Sequence, residues 1–312
     1  MKTSPVTEAN LRASVLSVPP LARKPDYTID RDQNARLLAH LRAGGVSTFM
    51  YGGNANLYNM SVSEFGLLLE LLEALAADGD WMIPSIGSDF GKALDQVAIA
   101  RRFSFPTVMA LPHRFPATPA GVATGLRRLA DAYGKPLIAY VKDDGYIDAK
   151  DLHRLAADGA ICAVKYAIVR DKPTIDPFLA EVLSGVDRKM VISGIGERPA
   201  IEHLTEFKLA SFTSGSVCVA PRLSTELKGA IERNDLAEAQ RLRALFLPLE
   251  DLRDAHSPLR VLHEAVSLAG ISENGPLLPY LANITDPAVL AAVKREAIRL
   301  LDANKEAKAK AA

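Results

Sequence analysis

Short apolar runs alternate with longer amphipathic runs along most of the chain. The apolar runs are Ala13–Ser17, Val46–Tyr51, Met82–Ile86, Thr107–Leu111, Pro136–Val141, Ile161–Lys165, Met190–Ser193 and Ala210–Thr213. Runs this short and continuously apolar read as strands of a parallel sheet covered on both faces. Between them, Arg31–Arg42, Val62–Ala77, Lys92–Phe103 and Ala120–Tyr133 repeat apolar residues at helical spacing. Ser61-Val62-Ser63-Glu64 fits a capping box. Thr118-Pro119, Asp176-Pro177 and Asp286-Pro287 put a capping side chain before a first-turn proline.

Eight β-then-α units predict a (β/α)8 TIM barrel over residues 1–233. An open doubly wound sheet would want a glycine-rich loop after the first strand, where Pro19-Pro20-Leu21 stands instead. Beyond residue 233 the pattern is helical only, with Leu236–Leu247, Pro258–Ala269 and Ala288–Leu301 as elements. Residues 234–312 therefore read as a three-helix extension packed on the barrel, with a Lys/Ala-rich end, Ala303–Ala312, that frays.

Composition narrows the class. The 312 residues carry 37 basic and 37 acidic side chains. That balance gives no reason to expect nucleic acid or an anionic membrane as partner. Cys162 and Cys218 form no metal-ligand spacing and read as buried free thiols. Met1–Asn10 is polar, and no apolar run is long enough to span a bilayer. The expectation is a cytoplasmic enzyme.

In such barrels chemistry sits where strands end. The run Ala160–Val164 is apolar and closes on Lys165. Desolvation there lowers the lysine pKa and frees a nucleophilic amine, although a strand-end lysine can also simply snorkel to water. Tyr140 ends the preceding strand, one unit earlier, as a proton relay or as a core aromatic. After strand two, Gly52-Gly53-Asn54-Ala55-Asn56 offers backbone N–H groups to a carboxylate, or is a tight loop. After strand seven comes Ser193-Gly194-Ile195-Gly196-Glu197.

In the order of these landmarks, completed by Val219-Ala220-Pro221-Arg222 after strand eight, the chain resembles the dihydrodipicolinate synthase / N-acetylneuraminate lyase superfamily of Schiff-base aldolases, as a divergent member. The resemblance runs from about residue 11 to 301. It implies Lys165 as the imine-forming residue and Tyr140 as proton relay. It also implies a 2-oxo acid carboxylate held by Gly53, Asn54 and Gly194, no metal or organic cofactor, and a homotetramer or dimer.

Three departures alter the substrate expectation. The family's G-T-T-G-E loop has become Gly52–Asn56, without the relay hydroxyl. The P-Y-Y segment has become Pro112-His113-Arg114, where His113 or Arg114 could bind an acid or move protons. The Y-N-x-P motif and its arginine have become Tyr140-Val141-Lys142-Asp143, where Lys142 could grip a carboxylate or belong to a solvated charge run. The expected function is a lyase, aldolase or dehydratase, on pyruvate or another 2-oxo acid. Keto-deoxy sugar-acid dehydration is one alternative, and a non-catalytic acid-binding paralogue the second.

Overall fold

The computed structural model describes residues 1–311. Eight parallel strands close a barrel in chain order. They are β1 (Leu16–Ser17), β2 (Thr48–Tyr51), β3 (Trp81–Ile86), β4 (Met109–Ala110), β5 (Leu137–Val141), β6 (Ile161–Tyr166), β7 (Val191–Ser193) and β8 (Ser211–Ser214). β1 pairs with both β2 and β8, so no edge remains among them. The (β/α)8 expectation holds.

All eight predicted runs became strands, several of them shortened. Proline explains two cases, because it has no N–H for the ladder. Pro112 closes β4, although Leu111 N still donates to the Ile86 carbonyl at 2.9 Å. Pro19-Pro20 follow β1, and Val18 N donates to Ser214 O at 2.9 Å before the chain turns away.

Helices α1 (Glu8–Arg12), α2 (Arg31–Ala43), α3 (Val62–Leu75), α4 (Phe90–Ala100), α5 (Pro119–Tyr133), α6 (Ala149–Ala157), α7 (Pro177–Leu183), α8 (Ala200–Thr205) and α9 (Pro221–Glu232) accompany the strands. Their buried faces carry residues such as Leu37, Leu41, Leu68, Leu72, Val97, Leu126 and Leu227. Thr118 Oγ1 accepts from Gly121 N, and Asp176 Oδ1 from Leu179 N, as the caps predict. The Ser61 box is only half made. Its hydroxyl accepts from Glu64 N, but the Glu64 carboxylate is taken by Arg23 Nη1 at 2.5 Å. A buried guanidinium outcompetes a backbone N–H for that carboxylate.

Three further helices, α10 (Leu236–Ala255), α11 (Pro258–Leu268) and α12 (Pro287–Ala311), pack on one another, and α10 and α12 also on α9. Asp286 caps α12 through Ala288 N and Val289 N. α12 is helical throughout Ala303–Ala311, where fraying was expected, and Ala312 lies outside the described residues. α10 differs most from expectation. It runs through Pro248 for a further two turns instead of ending at Leu247. Buried Leu249, Glu250 and Arg253 anchor that second half. No described helix is long and apolar enough to cross a membrane. Cys218 is buried, whereas Cys162 is only partly so.

Candidate active site

β5 and β6 are in register with Tyr140 opposite Lys165. Adjacent parallel strands put both side chains on the same side of the sheet, here the barrel mouth. Lys165 Nζ lies 4.3 Å from the centroid of the Tyr140 ring. Lys165 is 5% exposed. Burial, with the Lys142 and Arg253 charges adding to it, brings its pKa down to about 7. Tyr140 is pushed the other way, to about 12, by burial and by Asp143. Its hydroxyl therefore keeps its proton, and among the described residues it donates to no protein acceptor. The site thus pairs an amine that is half neutral near pH 7 with an uncommitted proton donor.

Both open into a cavity of about 430 Å³, a volume suited to a small-molecule site. Gly53, Asn54, Gly194 and Lys142 line it as well. Gly52 has Met109 Cε and Ser85 Oγ both 2.9 Å from where a Cβ would sit, so a side chain there would have to displace both. The Asn54 amide donates to the Val18 carbonyl at 2.9 Å and braces the loop instead of facing a ligand. The N–H groups of Gly53 and Asn54 donate to no protein acceptor among the described residues, while those of Asn56 and Leu57 close the turn. Asn56 sits at φ +54° and is spent on the Leu278 carbonyl and Asn59.

Gly194 does not match its expected role. Its N–H is used in the ladder to Tyr166 O. Its contribution is space, since a Cβ would lie 3.0 Å from Lys165 Cγ and 2.7 Å from Ala167 Cβ. Lys142 makes no ion pair among the described residues, whereas Asp143 and Asp144 are held by Arg114 and Arg170. Its pKa is lowered, mainly by burial and then by Arg114.

His113 and Arg114 are not brought into the cavity. They line a separate depression with Asp143, Asp144 and Tyr146. Arg114 forms a two-bonded pair with Asp143 at 2.9 and 3.1 Å, and His113 Nδ1 lies 3.8 Å from Asp89. A loop sequence shows residue type but not direction, and both side chains turn toward their neighbours' carboxylates.

Several cavity residues lie outside the sequence-based selection. Tyr58, on the short helical turn after the β2 loop, brings a hydroxyl whose pKa is raised by burial. Glu250 and Arg253 arrive from α10. Glu250 accepts from the N–H groups of Glu197 and Arg198 at 3.3 and 3.1 Å. Burial, and then the adjacent buried Glu197, hold it well above the usual carboxylate range. Glu197 in turn accepts from Ser224 Oγ at 2.7 Å. Gly196, at φ +112°, leaves room for Glu250, which a Cβ would strike.

The site therefore sets, in a (β/α)8 barrel, a desolvated lysine on β6, a protonated tyrosine on β5 and free N–H groups after β2. No established protein-family profile matches the chain. It is 24% identical over 281 residues to a probable 5-dehydro-4-deoxyglucarate dehydratase of Streptomyces avermitilis, covering 88% of this chain and 82% of that protein. Dihydrodipicolinate synthase of Bacillus clausii superposes with a TM-score of 0.81 at 22% identity, covering 95% of this chain and 99% of that one. A catalytic-lysine mutant of Ruminococcus gnavus sialic acid aldolase superposes with a TM-score of 0.82 at 13% identity, covering 97% and 99%. The chain thus shares the fold of dihydrodipicolinate synthase and sialic acid aldolase, and it is similar in sequence to a sugar-acid dehydratase over most of its length.

Proposed function

We propose that the protein is a lyase acting on a 2-oxo acid through an imine on Lys165. The observation that carries this reading is the β5–β6 register, which sets a lysine of pKa about 7 beside a tyrosine of pKa about 12 in one cavity. The neutral amine attacks the ketone carbon. Tyr140 delivers a proton as the carbinolamine loses water, and the protonated imine then draws electrons from the bond that breaks. Gly53 and Asn54 N–H groups receive the adjacent carboxylate. Tyr58 supplies the hydroxyl that the β2 loop lacks.

Two outcomes fit this electron sink. Breaking a carbon–carbon bond is aldol cleavage. Losing a proton next to the imine and then a hydroxide from the following carbon is dehydration. The sequence similarity to a sugar-acid dehydratase favours dehydration of a keto-deoxy sugar acid. A cytoplasmic homo-oligomer suits this reading, with two free thiols compatible with a reducing compartment. Borohydride reduction in the presence of pyruvate, followed by peptide mass spectrometry, tests it. An adduct on Lys165 is expected, and absence of any adduct across a panel of 2-oxo acids would overturn the imine.

A further inference from the structure

We propose that Arg253 receives a second carboxylate at the far end of the substrate, so that the site selects 2-oxo acids carrying two acid groups. This rests on the imine reading for the near end of the same ligand.

Arg253 is buried on α10 yet lines the cavity. Its Nε donates to the Pro258 carbonyl at 3.2 Å and its Nη1 to Ser216 Oγ at 3.4 Å. These two neutral acceptors fix the plane of the guanidinium. Nη2 lies against Gly215 and donates to no protein acceptor among the described residues. Residue 215 must be small for this, since a Cβ there would sit 2.7 Å from Nη2. The one carboxylate in ion-pair range is Glu250, at a loose 3.9 Å, and its oxygens already accept from Glu197 N and Arg198 N.

The rest of the lining sharpens the charge argument. Arg198 is cancelled by Asp251 and Asp254. Buried Lys165 and Arg253, with the partly exposed Lys142 beside them, remain around one small volume with no carboxylate of their own beyond that loose contact. A buried cation is costly unless paired, so an anionic ligand completes the site. The near carboxylate is accounted for by the β2 loop on one side. Arg253 approaches from the β8 side, beside Gly215 and Ser216. A single guanidinium edge suits a carboxylate. A phosphate would want several backbone N–H groups, and here Val217 N and Cys218 N are spent on Ser214 Oγ and the Gly215 carbonyl.

The test compares 2-oxoadipate with 2-oxohexanoate, equal in length and differing by one carboxylate, in borohydride trapping on Lys165. The intact protein should half-saturate with 2-oxoadipate at an at least about tenfold lower concentration. R253M should bring the two within about twofold, and R253K should restore part of the preference. Comparing two acids within each variant removes any effect of Arg253 on the Lys165 proton. No preference in the intact protein, or a preference that survives R253M, overturns the proposal. If R253M does not fold, the intact protein and R253K decide. Calorimetry with adipate and hexanoate, which have no ketone, separates this idea from the imine. Adipate preferred without any trapped adduct sinks the imine and keeps Arg253. Trapping without an adipate preference does the reverse.

Discussion

Two depressions open beside each other near the ends of β4 and β5, and their charges are arranged in opposite ways. Around His113 and Arg114 the side chains face carboxylates, Asp89 and Asp143, and the Arg114–Asp143 pair is largely exposed. In the other depression, Lys165 and Arg253 are buried and, with the partly exposed Lys142, lack such close partners. Exposed, mutually satisfied pairs contribute little and commit the protein to nothing. Buried unpaired charge is unfavourable in the resting protein and is retained where a ligand or a reaction uses it.

The largest effect that could break this contrast is at Lys165 itself. K165M should abolish borohydride trapping of pyruvate and lower turnover by about 10³-fold or more. The same variant should be more stable than the parent at pH 6. The folded lysine gives up its proton near 7 and the unfolded one near 10.5. The cost of the buried charge is therefore complete below pH 7 and disappears as pH rises toward 10.5. Thermal unfolding should show a gain on the order of 1–3 kcal/mol at pH 6, shrinking toward pH 10. A K165M protein that is less stable at pH 6 would mean the lysine is not held against its charge.

Next in size is Tyr140. Y140F keeps the ring under Lys165 Nζ and removes only the hydroxyl. Imine formation should slow by about 10²-fold, with little change in unfolding temperature. A change below threefold would transfer the relay to Tyr58, whose own phenylalanine variant would then carry the loss.

How far the site could be read from sequence follows the same division. Lys165 and Tyr140 sit on strands, where an apolar run fixes both the element and the end that faces the mouth. Their pairing, Tyr140 against Lys165, also needs a one-residue register shift between Leu137 and Ile138, which no sequence pattern announced. Eight strands were legible from their apolar runs, and their lengths were not, because prolines and barrel curvature trim them. Loop residues were legible by position only. Nothing local told that the Asn54 amide would turn to Val18, or that Arg114 would turn to Asp143. Glu250 and Arg253 were hidden by Pro248. A proline inside a helical pattern reads as a stop, and here α10 continues past it because burial of Leu249 and the bonds Glu250 accepts from Glu197 N and Arg198 N offset the lost hydrogen bond. A lysine or arginine following such a proline, in a helix destined for the barrel mouth, is the signal that could have found Arg253.

Lys142 sharpens the contrast in a pH profile. It is the second cause, after burial, of the low Lys165 pKa. Removing its charge in K142M lets Lys165 hold its proton to higher pH. The trapping rate with pyruvate falls as pH drops through about 7 in the parent. In K142M that limb should move to higher pH, so the rate loss is severalfold at pH 7 and recovers by pH 9. An unmoved limb would make Lys142 a solvated charge despite its place in the lining.

The smallest effect is expected on the other side of the comparison. H113A and R114A remove groups that face carboxylates across an exposed depression rather than the reacting amine. The Arg114–Asp143 pair has side chains 72% and 41% exposed, so screening by water leaves it worth less than about 1 kcal/mol. Breaking it also frees Asp143, which pushes the Tyr140 proton on more firmly and helps Lys142 keep its charge. These two influences act in the direction Tyr140 already favours, so trapping rates at pH 7–8 should stay within about threefold of the parent. Unfolding free energy should stay within about 0.5 kcal/mol. A loss comparable to that of Y140F in either variant would join the two depressions into one site. The substrate would then extend over β4 as well as toward α10, and the paired charges there would have to open when it binds.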